Sequence, residues 1–132
     1  MSKKCIISAA VMFIMAWGLS FVVHELLLRA DYAAAAGMRP RAEMEKLVLY
    51  IIAAHAIFGT AFAWIYVQGK EDKPWLMQGL RFGLAVACLA VVPVYLIYHA
   101  VTPVPQVLAM KQIIFDTLRV SLMGVVLAWI NR

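Results

Sequence analysis

Charge is scarce in this sequence. Twelve Lys or Arg and seven Asp or Glu make 14% of its 132 residues, whereas 65% are hydrophobic. An ordinary soluble domain carries about 25% charged and about 45–50% apolar residues. A small domain in water keeps much of its surface exposed, so a core of this size cannot hide the excess. The shortage excludes a soluble globular enzyme, a nucleic-acid-binding domain and a disordered tail. Catalytic signatures are missing too. The sequence holds no phosphate loop, no nucleophile elbow, no carboxylate dyad, no His-x-x-Glu-x-x-His and no Cys-His haem-attachment motif. Cysteine is limited to Cys5 and Cys88, at different expected depths, and a disulfide needs Cα atoms within about 7 Å of each other. No bridge is expected, and Cys88 reads as a small buried apolar residue.

What is present is long uncharged runs. No Asp, Glu, Lys or Arg occurs in 5–23, 47–69 or 82–110, and the stretch after Lys111 is interrupted only by Asp116 and Arg119 before Arg132. About 20 mostly apolar residues make a helix long enough to cross a bilayer. Four spans fit, at 5–28, 47–67, 79–100 and 107–130. Open sheets leave unpaired backbone groups that lipid cannot satisfy, and the alternation that a barrel strand needs is absent. The expected fold is all-α, an integral membrane antiparallel four-helix bundle, with residues 1–132 as a single transmembrane domain. The first run follows Lys3 and Lys4 but exceeds the about 7–15 apolar residues of a signal peptide. An uncleaved transmembrane helix is the expectation.

The connections carry smaller signals. Pro40 and Pro74 suit the first turn of a helix, where a missing N–H costs nothing, so the second and third helices are expected to begin there. Gly37 can end an extension of the first helix. Thr102-Pro103-Val104-Pro105 makes a stiff turn, and Pro93 is expected to kink the third helix.

Small residues mark packing faces, because they let helix backbones approach in lipid. Gly79, Gly83 and Ala87 repeat every four residues on the third helix, and Thr117, Ser121, Gly124 and Ala128 share one face of the fourth. Either face can serve the bundle itself or dock a helix from another subunit. Aromatic residues sort by level: Trp64, Tyr66, Trp75 and Trp129 toward one membrane surface, and Tyr32, Tyr50, Tyr95 and Tyr98 toward the other. They read as interface belts.

The residues that do not belong in lipid gather in one half. His24 and Glu25 close the first span, His55 lies in the second, His99 closes the third, and Asp116 and Arg119 lie in the fourth. In an up-down-up-down bundle all six fall on the same side of the midplane. At 1.5 Å per residue, Asp116 is about 8 Å past Lys111, and His55 and Arg119 are about 12 Å deep. Gln112, Asp116, Arg119 and Met123 form one stripe that points away from the small-residue face. Asp and Arg three apart on a helix can pair, which lowers the cost of a charge in the membrane. Such groups either serve a function or form a neutral pair that anchors the helix or a partner subunit. No metal site is expected and no cofactor is implied. Haem held between His24 and His99, which lie at similar depth, is the one cofactor alternative.

Four segments carry a family resemblance. Phe21-Val22-Val23-His24-Glu25-Leu26-Leu27-Leu28 closes the first span and Arg41-Ala42-Glu43-Met44-Glu45 precedes the second. Gln78-Gly79-Leu80-Arg81-Phe82-Gly83-Leu84 opens the third, and Pro103-Val104-Pro105 precedes the fourth. Over nearly its whole length the chain resembles a family of small bacterial integral membrane proteins with four spans and no assigned activity. Asp116 and Arg119 lie outside the shared pattern. The resemblance implies a multi-pass protein of the bacterial inner membrane and adds no mechanism.

Orientation rests on Lys and Arg in the connections. With both termini inside, Lys3, Lys4, Lys70, Lys73, Arg81 and Arg132 are inner, and Arg29, Arg39, Arg41, Lys46 and Lys111 are outer. Six against five favours both termini in the cytoplasm. The expected partners are the bilayer and other transmembrane subunits or a second copy of the chain, with no nucleic acid. The expected role is a non-catalytic accessory, structural or assembly subunit of a larger inner-membrane complex. The alternatives are a small oligomeric proton- or anion-linked transporter and, behind it, a haem- or metal-binding bundle.

Overall fold

A computed structural model describes residues 3–132. Among them every regular element is helical. Four helices are long and apolar enough to cross a membrane: α1 (Lys3–Leu27), α4 (Val48–Gly69), α5 (Trp75–Val101) and α6 (Gln106–Ile130). Two short ones, α2 (Arg29–Ala34) and α3 (Arg41–Lys46), build the connection between α1 and α4. The long helices run up and down in turn. The end with the chain termini and the α4–α5 loop is called the terminal end here, and the opposite end, with α2, α3 and the α5–α6 turn, the hairpin end.

The prolines act one position earlier than expected. Pro40 and Pro74 are N-caps, with ψ of 148° and 116°, and helix begins at Arg41 and Trp75. The third long helix therefore starts at Trp75, four residues ahead of the span expected from 79. Gly37, at φ 80°, adopts the left-handed conformation that favours glycine. It lies beyond the end of α2, which stops at Ala34 when Ala35 turns extended. Pro93 cannot donate to the turn before it. The deformation it causes is a π-helical turn over Ala87–Val91, after which the helix continues. A second π-turn, Val22–Leu27, closes α1 without any proline and contains His24 and Glu25.

α1 packs on α4, and α5 packs on α6. α1 also lies against α6, and Phe62 and Tyr66 of α4 meet Phe82 of α5 at ring-centroid distances of 4.7 and 5.3 Å. The core comprises Met12, Ala16, Phe62, Ala87, Val120, Met123 and Leu127 among others. α6 is the enclosed helix. Of its most apolar window 39% is buried, against 17–22% for the other three.

Glycine brings α5 and α6 into backbone contact. A Cβ on Gly83 would lie 2.6 Å from Ser121 Cα, and one on Gly79 would lie 2.5 Å from Gly124 O. The expected small-residue faces thus meet each other inside the bundle. Gly59 does the same for α4, where a Cβ would lie 2.5 Å from the backbone nitrogen of Phe13. Outward surfaces are apolar, with Leu49, Ile57 and Leu89 all strongly exposed, as suits contact with acyl chains. Cys88 belongs to this outer surface, since it stands one position from the inward Ala87.

Candidate functional site

The polar residues of α6 fall on one stripe because Gln112, Asp116 and Arg119 are spaced by four and three residues. This stripe faces α1 and the hairpin half of α5. Asp116 is its centre and is 2% exposed. Its Oδ2 accepts a hydrogen bond from the Tyr95 hydroxyl at 2.5 Å and lies 3.3 Å from His24 Nε2. Its Oδ1 lies 2.9 Å from Arg119 Nε, and Arg119 Nη1 donates to the carbonyl of Ala16 on α1 at 3.3 Å.

The contacts continue outward through His24. Its Nδ1 is 2.7 Å from the Tyr32 hydroxyl, which also accepts a hydrogen bond from Gln112 Nε2 at 2.8 Å. A hydroxyl that accepts from Gln112 has its own hydrogen free for His24 Nδ1. That arrangement leaves the imidazole proton on Nε2, directed at Asp116. Burial, the largest influence, pushes the Tyr32 phenol up to about 12, so it remains a neutral hydroxyl at physiological pH. Beyond it, Lys111 Nζ pairs with Asp31 at 2.8 Å.

The arrangement joins α1, α2, α5 and α6 through one carboxylate. Asp116 and Arg119 cancel in charge, which removes most of the cost of placing them in lipid. Chemically, the contacts can fasten helices, and the Asp116–His24–Tyr32 chain can hold a proton in two alternative patterns of donors.

Of the six ionisable residues singled out by sequence, His24, Asp116 and Arg119 come together here. The other three make separate contacts. His55 Nδ1 lies 2.6 Å from Ile51 O of its own helix. His99 Nδ1 lies 2.7 Å from Val104 O and ties the α5–α6 turn. Glu25 is 3.8 Å from Arg41. His24 and His99 therefore have different partners, and among the described residues no group of three or more His, Cys, Asp or Glu is arranged to hold a metal ion.

Sequence reasoning placed Tyr32 and Tyr95 in an interface belt, and both bond to this network instead. The signal for Tyr95 was its depth, since it lies nearly a full turn further from the α5–α6 turn than Tyr98. Tyr66 is likewise buried, and its hydroxyl donates to Gln78 Oε1 at 3.1 Å. The described chain is a four-helix, multi-pass membrane bundle; it matches no protein-family model, no curated protein and no solved structure.

Proposed function

We propose that this chain is a non-catalytic subunit of a larger inner-membrane complex, acting by assembly with other transmembrane helices. The observation that carries the reading is the charge pairing of Asp116 within its own chain. The buried carboxylate takes a hydrogen bond from Tyr95 on Oδ2 and lies within ion-pair distance of His24 and Arg119 of its own chain, although its Oδ1 has no hydrogen bond, so these groups serve to hold α1, α5 and α6 in register. The small-residue faces of α5 and α6 are likewise used within the bundle. What remains outward is apolar helix surface with minimal loops, the form of a helical building block. On this reading the protein resides in a bacterial inner membrane with both termini in the cytoplasm, supported by the excess of cations at the terminal end.

The test is extraction at native expression levels in a gentle detergent, followed by mass measurement of the intact species. The reading expects the chain in an assembly with other membrane proteins. A clean monomer or homo-oligomer contradicts it.

One observation favours a second reading, proton-linked transport by an oligomer. The hydrogen-bonded chain from Asp116 through His24 to Tyr32 leads toward the hairpin surface, and the His24 side chain is 24% exposed. Purified protein in sealed vesicles under a proton gradient decides it: flux lost in Asp116→Leu/Arg119→Met supports transport, and no flux above empty vesicles removes it.

A further inference from the structure

The molecule's excess charge is unevenly held. At the hairpin end, three of five cations have carboxylates at hand, Arg39 with Glu43, Arg41 with Glu25 and Glu45, and Lys111 with Asp31, while Arg29 and Lys46 have none within ion-pair distance among the described residues. At the terminal end, Lys3, Lys4, Lys70, Lys73, Arg81 and Arg132 face only Glu71 and Asp72. Three of these six cations have a partner, and Lys3, Lys4 and Arg81 have no carboxylate within ion-pair distance among the described residues. Lys73 pairs with Glu71, Lys70 donates to the carbonyl of Asn131, and Arg132 lies over the rings of Trp75 and Trp129, 5.9 and 5.4 Å from their centroids. Arg81 differs from Lys3 and Lys4 in position. It is exposed and lies within α5, not at the start of a helix.

Arg81 lies six residues into α5, about 9 Å along the helix from Trp75. Trp75 and Trp129 mark the level at which headgroups begin. Arg81 is thus set at the boundary between headgroup and acyl chain, where an unpaired charge needs an anion. It lines a recess of about 370 Å³ together with Lys73, Glu71, Gln78, Pro74 and Met77. The recess has a braced wall. Gln78 Nε2 donates to Glu71 O at 3.0 Å, its Oε1 accepts from Glu71 N at 3.3 Å, and Tyr66 holds the same oxygen. The Lys73 ammonium beside Glu71 holds that carboxyl below its usual range, so it stays ionised and paired. The guanidinium of Arg81 remains as the uncommitted charge, and its planar fork suits phosphate oxygens.

We infer that this recess is a binding site for the headgroup phosphate of an anionic phospholipid in the leaflet on the terminal side. Arg81 supplies the fork and its stem reaches from the acyl boundary toward the headgroups. Lys73, paired with Glu71, offers the remaining N–H donors of its ammonium from the loop above. Met77 and Pro74 give the glycerol and first methylenes an apolar wall. The site fixes how deep α5 sits and applies whether the chain works alone or in a complex.

The test is native mass spectrometry of the full chain after exchange with vesicles containing equal amounts of dioleoylphosphatidylglycerol and dioleoylphosphatidylcholine. Wild type is expected to retain the anionic lipid about fivefold or more over the zwitterionic one, the scale of one cation at a membrane surface. Arg81→Gln brings the two lipids near parity, Lys73→Gln reduces the preference, and Arg39→Gln at the hairpin end leaves it unchanged. If Arg81→Gln does not fold, Lys73→Gln gives a reduced preference, and Arg81→Lys, which keeps the charge and loses the planar fork, gives a preference between wild type and parity. Equal retention of both lipids by wild type overturns the inference, as does a preference that survives both Arg81→Gln and Lys73→Gln. Displacement of the lipid by inorganic phosphate assigns the recess to a soluble anion, which also overturns it.

Discussion

In the terminal half of the bundle, α5 meets α6 through Gly79, Gly83 and Gly124, with backbone against backbone. Further along the same α6, Asp116 reaches α5 and α1 through Tyr95 and His24. One seam depends on atoms that are absent and the other on charges that balance. In lipid neither seam gains from hydrophobic exclusion, because the acyl chains are as apolar as the side chains. Close packing gives many small dispersion contacts with no desolvation cost. A polar seam gives a unique register, since displacing α6 by one residue strands a charge. The contrast implies that the glycine seam tolerates polar change elsewhere and fails on bulk, whereas the Asp116 seam tolerates changes of size and fails on loss of charge balance.

The largest effect is expected from Asp116→Leu. It leaves Arg119 unpaired in the hydrocarbon region, which costs about 3–5 kcal/mol of folding free energy. Unfolding titrations of the detergent-solubilised protein measure it. Next comes Gly83→Ile, which drives a branched side chain into the backbone at Ser121. A loss of about 1–3 kcal/mol is expected by the same titration, with no rescue by changes at Asp116. Tyr95→Phe removes one interhelical hydrogen bond and should cost about 0.6–1.7 kcal/mol, the range of such bonds inside membranes. The smallest effect belongs to Arg39→Gln. It breaks an exposed pair with Glu43, 3.7 Å long, and should change stability by less than about 1 kcal/mol. A reversed order of Asp116→Leu and Tyr95→Phe breaks the comparison outright.

The fold was legible because lipid imposes one simple requirement, a long run without charge, and the chain has four of them. Gly79, Gly83, Ser121 and Gly124 were legible as packing residues from their spacing alone. Gly59 was passed over although Ala63 lies four residues on and is buried on the same face, and its role depends on Phe13 lying opposite. His24, Asp116 and Arg119 stood out as ionisable groups in an apolar run. Their assembly with Tyr95 and Tyr32 was hidden, because a tyrosine near a membrane surface has the same composition signal whether its hydroxyl faces water or a buried carboxylate. The π-turn at Val22–Leu27 had no proline to announce it, yet it rotates His24 toward α6. His55 failed to join the cluster for a geometric reason: depth is readable from a sequence, and the face on which a side chain lies is not, and His55 turns to Ile51 O of its own helix.

Asp116 and Arg119 form a structural unit whose value lies in their mutual neutralisation. The most direct measurement is a double-mutant comparison of Asp116→Leu with Asp116→Leu/Arg119→Met, read as unfolding free energy in the same detergent. The account predicts that the second change restores most of what the first loses, leaving the double variant within about 1–2 kcal/mol of wild type. A double variant as unstable as Asp116→Leu alone contradicts it, because the two side chains would then act independently.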